Sequence, residues 1–323
     1  MKHFFIINPK AGKGDKVDGL IESIKKAAAE VGAEFDIFVS VGLENTKDYI
    51  KNAVAGTSDE VEFIACGGDG TLCETILAVM ALDAGEREGV SVGVVPIGTG
   101  NDFVSNFENK DKFFDIKAQL APTPYEIDLI KCNDMYSVNM VNVGFDSHVV
   151  CVKEKIGRKK WVPRKLSYIF SLVLTLVKKP WLRVDISRDG AESEHRELLL
   201  TTMANGAFCG GGFHSNPTAS LVDGQIDLIT IKNVGRIRFL SLVGKYKKGT
   251  HLCEKLAHIV GNCKCSSVDL YFDRETPVSV DGEIVMGNEL HLSVEHGALR
   301  IMLPEGIVPS VMPGADAAEC SIV

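Results

Sequence analysis

A chain of 323 residues with 45% hydrophobic and 24% charged residues is long enough for two globular domains and too apolar to be disordered. Acidic residues outnumber basic ones 43 to 35, and the net charge of −8 disfavours nucleic-acid binding as a reading of the whole chain. The nine cysteines have no regular spacing, so they are expected as reduced thiols of a cytoplasmic protein rather than a disulfide framework.

The first 130 residues alternate strand and helix. Phe4 to Ile7 is a continuous apolar run, suited to a strand buried on both faces. The loop Asn8-Pro9-Lys10-Ala11-Gly12-Lys13-Gly14 follows it. Val17, Leu20, Ile21, Ile24, Ala27, Ala28 and Val31 recur mostly every three or four residues and predict a helix stopped by Gly32. Phe35 to Val39 is the next expected strand, and Thr46 is expected to cap a short helix through Val54. Val61 to Ala65 predicts a strand, and Leu72, Ile76, Val79 and Met80 line one face of the helix after it. Val92 to Val95 predicts another strand, ending at Pro96. Repeated β-α-β units imply a parallel sheet with helices on both faces.

After Asp128 the pattern changes to short β-rich runs. These are Tyr136–Val143, Leu182–Ile186, Leu198–Met203, Ile226–Ile231, Val268–Phe272, Pro277–Val280, Leu290–Val294 and Leu299–Leu303. Turn residues between many of them suggest an antiparallel sandwich. Helical stretches are expected near Leu166–Val177 and Phe239–Lys247, and the segment after Pro304 is expected to be loosely held. No apolar run reaches the ~20 residues of a spanning helix. Cys320-Ser321-Ile322-Val323 has the bare outline of a prenylation signal, but Ser321 is not aliphatic and Val323 is an atypical last residue, so no lipid anchor is expected.

Three glycine-containing turns fall at the carboxyl ends of three predicted parallel strands: Asn8 to Gly12, Gly67-Gly68-Asp69-Gly70-Thr71, and Pro96-Ile97-Gly98-Thr99-Gly100-Asn101-Asp102. Ligands of open α/β sheets bind at that edge. Glycines let backbone N–H groups approach phosphate oxygens, and a helix N-terminus favours the same anion. Any one turn could be a plain tight turn; three on one edge point to phosphate. The Walker pattern is missing, and so is G-x-G-x-x-G in the first βα turn, which argues against P-loop enzymes and ordinary dehydrogenases.

These three motifs, together with Asn142-Val143-Gly144-Phe145-Asp146, Gly210-Gly211-Gly212, Asp223-Gly224-Gln225-Ile226-Asp227 and Asp281-Gly282-Glu283, resemble the diacylglycerol kinase catalytic-domain family. That family includes bacterial soluble lipid kinases and is related to sphingosine and ceramide kinases. The resemblance runs from Lys2 to Pro304 in the expected order. It implies a Rossmann-like parallel α/β domain, similar to NAD kinases, over 1–130 joined by 296–312, an antiparallel β-sandwich domain over 131–295, and a tail over 313–323.

The resemblance also implies roles. Asn8, Pro9, Lys10, Ala11, Gly12, Ser40, Gly67, Gly68, Asp69, Gly70, Thr71, Glu74, Thr99, Asn101 and Asp102 would hold ATP. Asp69, Asp102, Asp128 and Asp223 would form an acidic network linked to Mg²⁺. Asp223, with backbone carbonyls near Ser220 and Gln225, would bind a structural Mg²⁺. Glu283 would be the general base, following a turn after the strand Pro277–Val280, and Asp69 would act beside it in catalysis. Two positions depart from the family pattern: Cys73 replaces the usual Asn, and Val104-Ser105 replaces Ala-Arg. His214 is read as a surface or hydrogen-bonded residue, and Cys263-x-Cys265 as structural, because no second pair stands at zinc spacing.

From Cys151 to Arg183, ten Lys and Arg stand against the single Glu154, together with Trp161, Tyr168 and Trp181 around an apolar helix. Basic residues with interfacial aromatics favour an anionic membrane surface, so the Lys153–Arg183 region is expected to make peripheral contact. The plain alternative is a core helix with solvated flanks. The expected activity is ATP-dependent phosphorylation of a lipid hydroxyl, foremost diacylglycerol to phosphatidic acid, with Mg²⁺, and a homodimer is compatible with it. The rivals are an NAD-kinase-like kinase of a soluble acceptor and a catalytically weak lipid-binding regulator.

Overall fold

The computed structural model describes residues 1–11, 16–157, 164–178 and 181–309, and the chain divides into two units. The first comprises Met1–Leu129 and His296–Met312; the second takes Ile130–Glu295. In chain order the first unit has β1 (Lys2–Ile7), α1 (Lys16–Val31), β2 (Phe35–Val39), α2 (Leu43–Ala55), β3 (Val61–Gly67), α3 (Asp69–Met80), α4 (Ala84–Arg87), β4 (Val90–Pro96), β5 (Phe107–Glu108) and α5 (Ile116–Gln119). Then β6 (Thr123–Cys132) leads to β7 (Met135–Ser137), β8 (Met140–Gly144), α6 (Phe145–Gly157), α7 (Arg164–Lys178), β9 (Leu182–Arg188), β10 (Glu194–Ala204), β11 (Ile226–Lys232), α8 (Arg236–Lys247), β12 (Val260–Cys265) and β13 (Ser267–Val280). The chain returns along β14 (Glu283–Leu303) and reaches β15 (Val308–Pro309).

Within the first unit β2, β1, β3 and β4 pair in parallel, in that order, and Ile301 of β14 pairs in parallel beside Val92 of β4. All seven residues of β3 and of β4 are buried. Such runs belong to a sheet covered on both faces. Phe5, Ile7, Ile64 and Cys66 form a core with Ile24, Ala27 and Ala28 of α1 and with Ile116 of α5. On alternate residues Phe4 meets Phe63 at 5.2 Å between ring centroids and Tyr49 of α2 at 6.1 Å, so helices lie on both sides. His3 and Glu62 are register partners and bond inside the sheet, Nδ1 to Oε2 at 2.7 Å. Burial pushes the Glu62 carboxyl upward. Gly93 leaves the room this carboxylate needs, since a Cβ there would lie 2.5 Å from Oε1.

The second unit is antiparallel. β12, β11, β10 and β8 pair in that order, and β13 pairs both β8 and β14. β10 and β13 each divide their ladders, pairing β9 along one part and β8 along another. The core of this unit includes Val141, Val143, Val184, Leu198, Leu228, Val268, Val278 and Leu292. A second core joins Phe145 and Val149 of α6, Ile229 and Ile231 of β11, and Phe239, Leu242 and Tyr246 of α8.

Several expectations needed correction. Thr46 is not a cap: α2 begins three residues earlier, and the buried Thr46 hydroxyl bonds Ser40 Oγ at 2.8 Å. Tyr136–Val143 splits into β7 and β8, because Val138 and Asn139 give their amides to the Asp281 carboxylate instead of a ladder. The runs 268–272 and 277–280 are one strand interrupted by a register shift, and 290–294 and 299–303 also belong to one strand. The sequence reading missed β6, α6 and β12 as elements. The segment after Pro304 is in part held, since Val308 and Pro309 pair with β5. Residues 310–323, including the Cys320–Val323 motif, lie outside the described residues, as do Arg158, Lys159, Lys160, Trp161 and Lys179 of the basic segment. Among the described residues no helix is long and apolar enough to cross a membrane.

Candidate functional site

The three turns meet at the carboxyl edge of the parallel sheet of the first unit. β1 ends at Ile7, and the Asn8 amide bonds the Cys66 carbonyl of β3 at 3.1 Å. The Asn8 side chain works in two directions. Its Oδ1 accepts from the Lys10 amide at 2.9 Å, and its Nδ2 donates to Thr71 Oγ1 at 3.1 Å. The first turn is thus tied to the second. Pro9 and Lys10 are exposed and Ala11 is buried, whereas Gly12 lies outside the described residues.

The second turn is the strand-to-helix junction of β3 and α3, with Gly68 as the residue before the helix. Gly67 faces Thr71 so closely that a Cβ would fall 2.0 Å from Thr71 Oγ1. Gly68 faces the third turn. The Gly98 amide donates to the Gly67 carbonyl at 3.0 Å, and a Cβ on Gly98 would lie 2.3 Å from the Gly68 Cα. Only a backbone without side chains can make this approach. The first amides of α3 have no partners within the helix and its dipole favours an anion there.

Asp69, the first residue of α3, reaches the third turn and accepts the Phe103 amide at 3.1 Å. Its other oxygen and Asp102 Oδ2 converge on Gly100, at 3.0 and 3.8 Å from where a Cβ would stand. Asn101 adopts a left-handed φ of 59° and donates Nδ2 to the Pro96 carbonyl at 2.8 Å, while its Oδ1 is buried without a hydrogen-bond donor. Thr99 and Gly100 are exposed, and Glu74 is half-buried one turn into α3. Gly67, Gly68, Asp69, Leu72, Asn101 and Phe103 line part of a shallow hollow at this edge.

Two residues expected here have other commitments. Ser40 is buried, and its hydroxyl bonds Thr46 and accepts from the Gly42 amide at 3.2 Å. Asp128 is fully buried, accepts the Gly297 amide at 2.8 Å and pairs with His296 at 2.7 Å, so it holds the returning strand.

In the second unit Glu283 is the exposed first residue of β14. It pairs with Val280 across Asp281-Gly282, whose φ values of 46° and 94° make the left-handed two-residue turn of a tight hairpin. Asp281 accepts from Ser137 Oγ and from the amides of Val138, Asn139 and Met140, at 2.7 to 3.1 Å. Burial nonetheless raises its carboxyl to about 6. Sequence reading gave Asp281 no role; its signal was the D-G pair beside Glu283, the expected general base. His214 is half-buried and stacks on Phe208 at 4.4 Å, and burial lowers its pKa.

The expected structural Mg²⁺ site does not fit the residues present. Asp223 Oδ2 is paired with the Lys264 ammonium, and Oδ1 accepts the Gln225 amide at 3.1 Å. Ser220 Oγ accepts the Val222 amide at 3.4 Å. Lys264 stands opposite the buried Asp227 in the β11–β12 ladder, so one ammonium serves two aspartates. An internal cation thereby holds the place a divalent ion would need, and a second positive charge there would be repelled.

A model of the diacylglycerol kinase catalytic domain matches residues 2–132, and a model of the YegS C-terminal NAD kinase beta sandwich-like domain matches residues 139–303. Proteins of Salmonella arizonae and Salmonella newport, each named "Probable lipid kinase YegS", are 30% identical over 251 residues, covering 75% of this chain and 77% of theirs. A crystal structure from Bacillus anthracis str. Sterne superposes with a TM-score of 0.75 at 22% identity, covering 95% of this chain and 96% of that chain. A second one, described as a diacylglycerol kinase from the same organism, gives 0.68 at 19%, covering 95% and 98%.

Two outcomes test this geometry. Gly98→Ala should lower stability by about 1–3 kcal/mol, as forced overpacking does, whereas Gly70→Ala, with open space around it, should not. Equal melting temperatures for the two variants would contradict the close approach. The wild-type melting temperature should be the same in excess EDTA and in excess magnesium. Lys264→Ala should melt lower and regain stability with magnesium, and a wild-type loss in EDTA would contradict the internal-cation reading.

Proposed function

Because the chain belongs to the diacylglycerol kinase catalytic-domain family, with a YegS-type C-terminal domain, we propose that it is an ATP-dependent lipid kinase whose acceptor is the hydroxyl of diacylglycerol and whose product is phosphatidic acid. The observation that carries the reading is the Gly68–Gly98 approach, with Asp69 bridging from the second turn to the Phe103 amide of the third.

Phosphoryl transfer depends on alignment and charge neutralisation more than on covalent help. Backbone amides of the three turns and the N-terminus of α3 hold the phosphates of ATP. Asn8 keeps the first two turns in register through Thr71, and Thr99 presents an exposed hydroxyl to the nucleotide. Asp69 and Asp102, which converge on Gly100, fit a Mg²⁺ carried by the nucleotide, and that ion neutralises phosphate charge when bound. Glu283 takes the proton of the acceptor hydroxyl as that oxygen bonds the γ-phosphorus of ATP and the bond to the β–γ bridging oxygen breaks, so that ADP leaves. Asp281 positions the hairpin that carries Glu283. A lipid acceptor also calls for peripheral attachment to a membrane, to which the basic Lys153–Arg183 region contributes.

Asp69→Asn keeps an acceptor for the Phe103 amide and removes the charge. It should cut turnover by a factor of about 100 or more with the fold intact. Glu283→Gln should retain nucleotide affinity and lose turnover by about 10²–10⁴. Steady-state rates with isothermal titration of a nucleotide separate these effects. Collapsed nucleotide affinity with a normal residual rate would make Glu283 a nucleotide ligand instead of a base.

A further inference from the structure

We propose that the exposed face of α7 and α8 is the surface with which this protein docks on an anionic lipid bilayer. Over residues 170–178, α7 turns apolar side chains outward. Ser171 and Thr175, one turn apart, are buried, and the Thr175 hydroxyl has no hydrogen-bond partner among the described residues. Phe170, Val173, Leu174 and Val177 are exposed at spacings of three, four and seven, which places them on one face of the helix. A helix of a water-soluble protein ordinarily turns its apolar stripe inward. Here the inner side is made by Leu172 and Leu176, which pack against the core shared with α6 and α8, so the outer stripe is surplus to the fold.

The neighbouring helix repeats the pattern. Phe239, Leu242 and Tyr246 of α8 are buried, whereas Ile237 is 88% exposed and Leu240 56%. The two exposed faces are held together, because Arg236 at the start of α8 donates to the carbonyls of Leu176 and Val177 at the end of α7, at 3.3 and 2.9 Å. Exposed apolar surface on two helices tied end to start marks an interaction site.

Charge selects the occupant. Neither helix contains an Asp or Glu, in a chain of net charge −8. Lys178, Arg236 and Arg238 are exposed beside the apolar stripe. An apolar face rimmed by cations fits an interface of acyl chains and anionic headgroups. A second copy packed through the same face would set these cations against themselves, which disfavours a two-fold dimer there. The identity of the surface rests on the lipid-kinase reading for its purpose and on the geometry for its location.

The test is flotation with phosphatidylcholine vesicles, with and without phosphatidylglycerol, in the absence of nucleotide. The wild type should bind the anionic vesicles, and more weakly as salt rises. Replacing Val173, Leu174, Ile237 and Leu240 together by Gln should reduce the partition at least about tenfold. The melting temperature should hold, since these side chains are exposed. Unchanged vesicle binding overturns the proposal. So does a sharp fall in melting temperature, which would mean that the face is covered within the protein. A wild-type dimer that these substitutions dissociate, with no vesicle binding in either form, would assign the face to a second copy. Because binding is read without turnover, the two readings fail separately. Binding through this face without phosphorylation of any lipid would remove the kinase reading and leave the docking surface. Lipid phosphorylation indifferent to the four substitutions would do the reverse.

Discussion

Two backbone segments approach at Gly68 and Gly98 more closely than any side chain would allow, and the geometry of the carboxyl edge of the parallel sheet depends on that approach. With the backbones in contact, the Gly98 amide reaches the Gly67 carbonyl and Asp69 reaches the Phe103 amide. Asn8 then ties the first turn to Thr71. Three turns become one surface lined with amides and carboxylates. Hydrogen bonding holds this edge in place, and the fully buried strands β3 and β4 supply the rigid floor beneath it. Preorganisation of this kind favours electrostatic catalysis, because the dipoles are oriented before the substrate arrives.

The second unit solves its polar problems internally. Asp281 spends its carboxylate on the connection between β7 and β8 and so fixes the turn that carries Glu283. Asp223 and Asp227 are offset by Lys264, a side chain from the neighbouring strand. The orphan hydroxyl of Thr175 and the outward apolar stripe of α7 are the reverse case, where local structure departs from what folding in water alone would select.

Much of this was legible in the residues. Phe4–Ile7 read as a strand because the apolar run is unbroken, and Val61–Ala65 read as one although Glu62 interrupts it. The turns at Gly67–Thr71 and Pro96–Asp102 read as neighbours on one sheet edge because each follows a predicted parallel strand, and the Gly98 amide does reach the Gly67 carbonyl. Long-range commitments were not legible. Ser40 was expected to face a nucleotide, yet its hydroxyl bonds Thr46 on the following helix. Asp128 was placed in a metal network, yet it holds His296 and Gly297, far along the chain. Lys264 sits between two cysteines that drew attention to themselves, and its partner Asp223 is a distant residue in a D-G turn that reads locally as a turn. The helix α6 was passed over because its charged second half, from Lys153, merged with the basic segment after it, although Phe145 and Val149 stand at helical spacing.

Labelled ATP offered to a panel of diacylglycerol, other lipid alcohols and NAD, with products separated by polarity, tests the central claim most directly. The account predicts a labelled lipid product that migrates as phosphatidic acid and appears only with diacylglycerol and the intact protein. Label transferred to NAD, with none in any lipid, would contradict it.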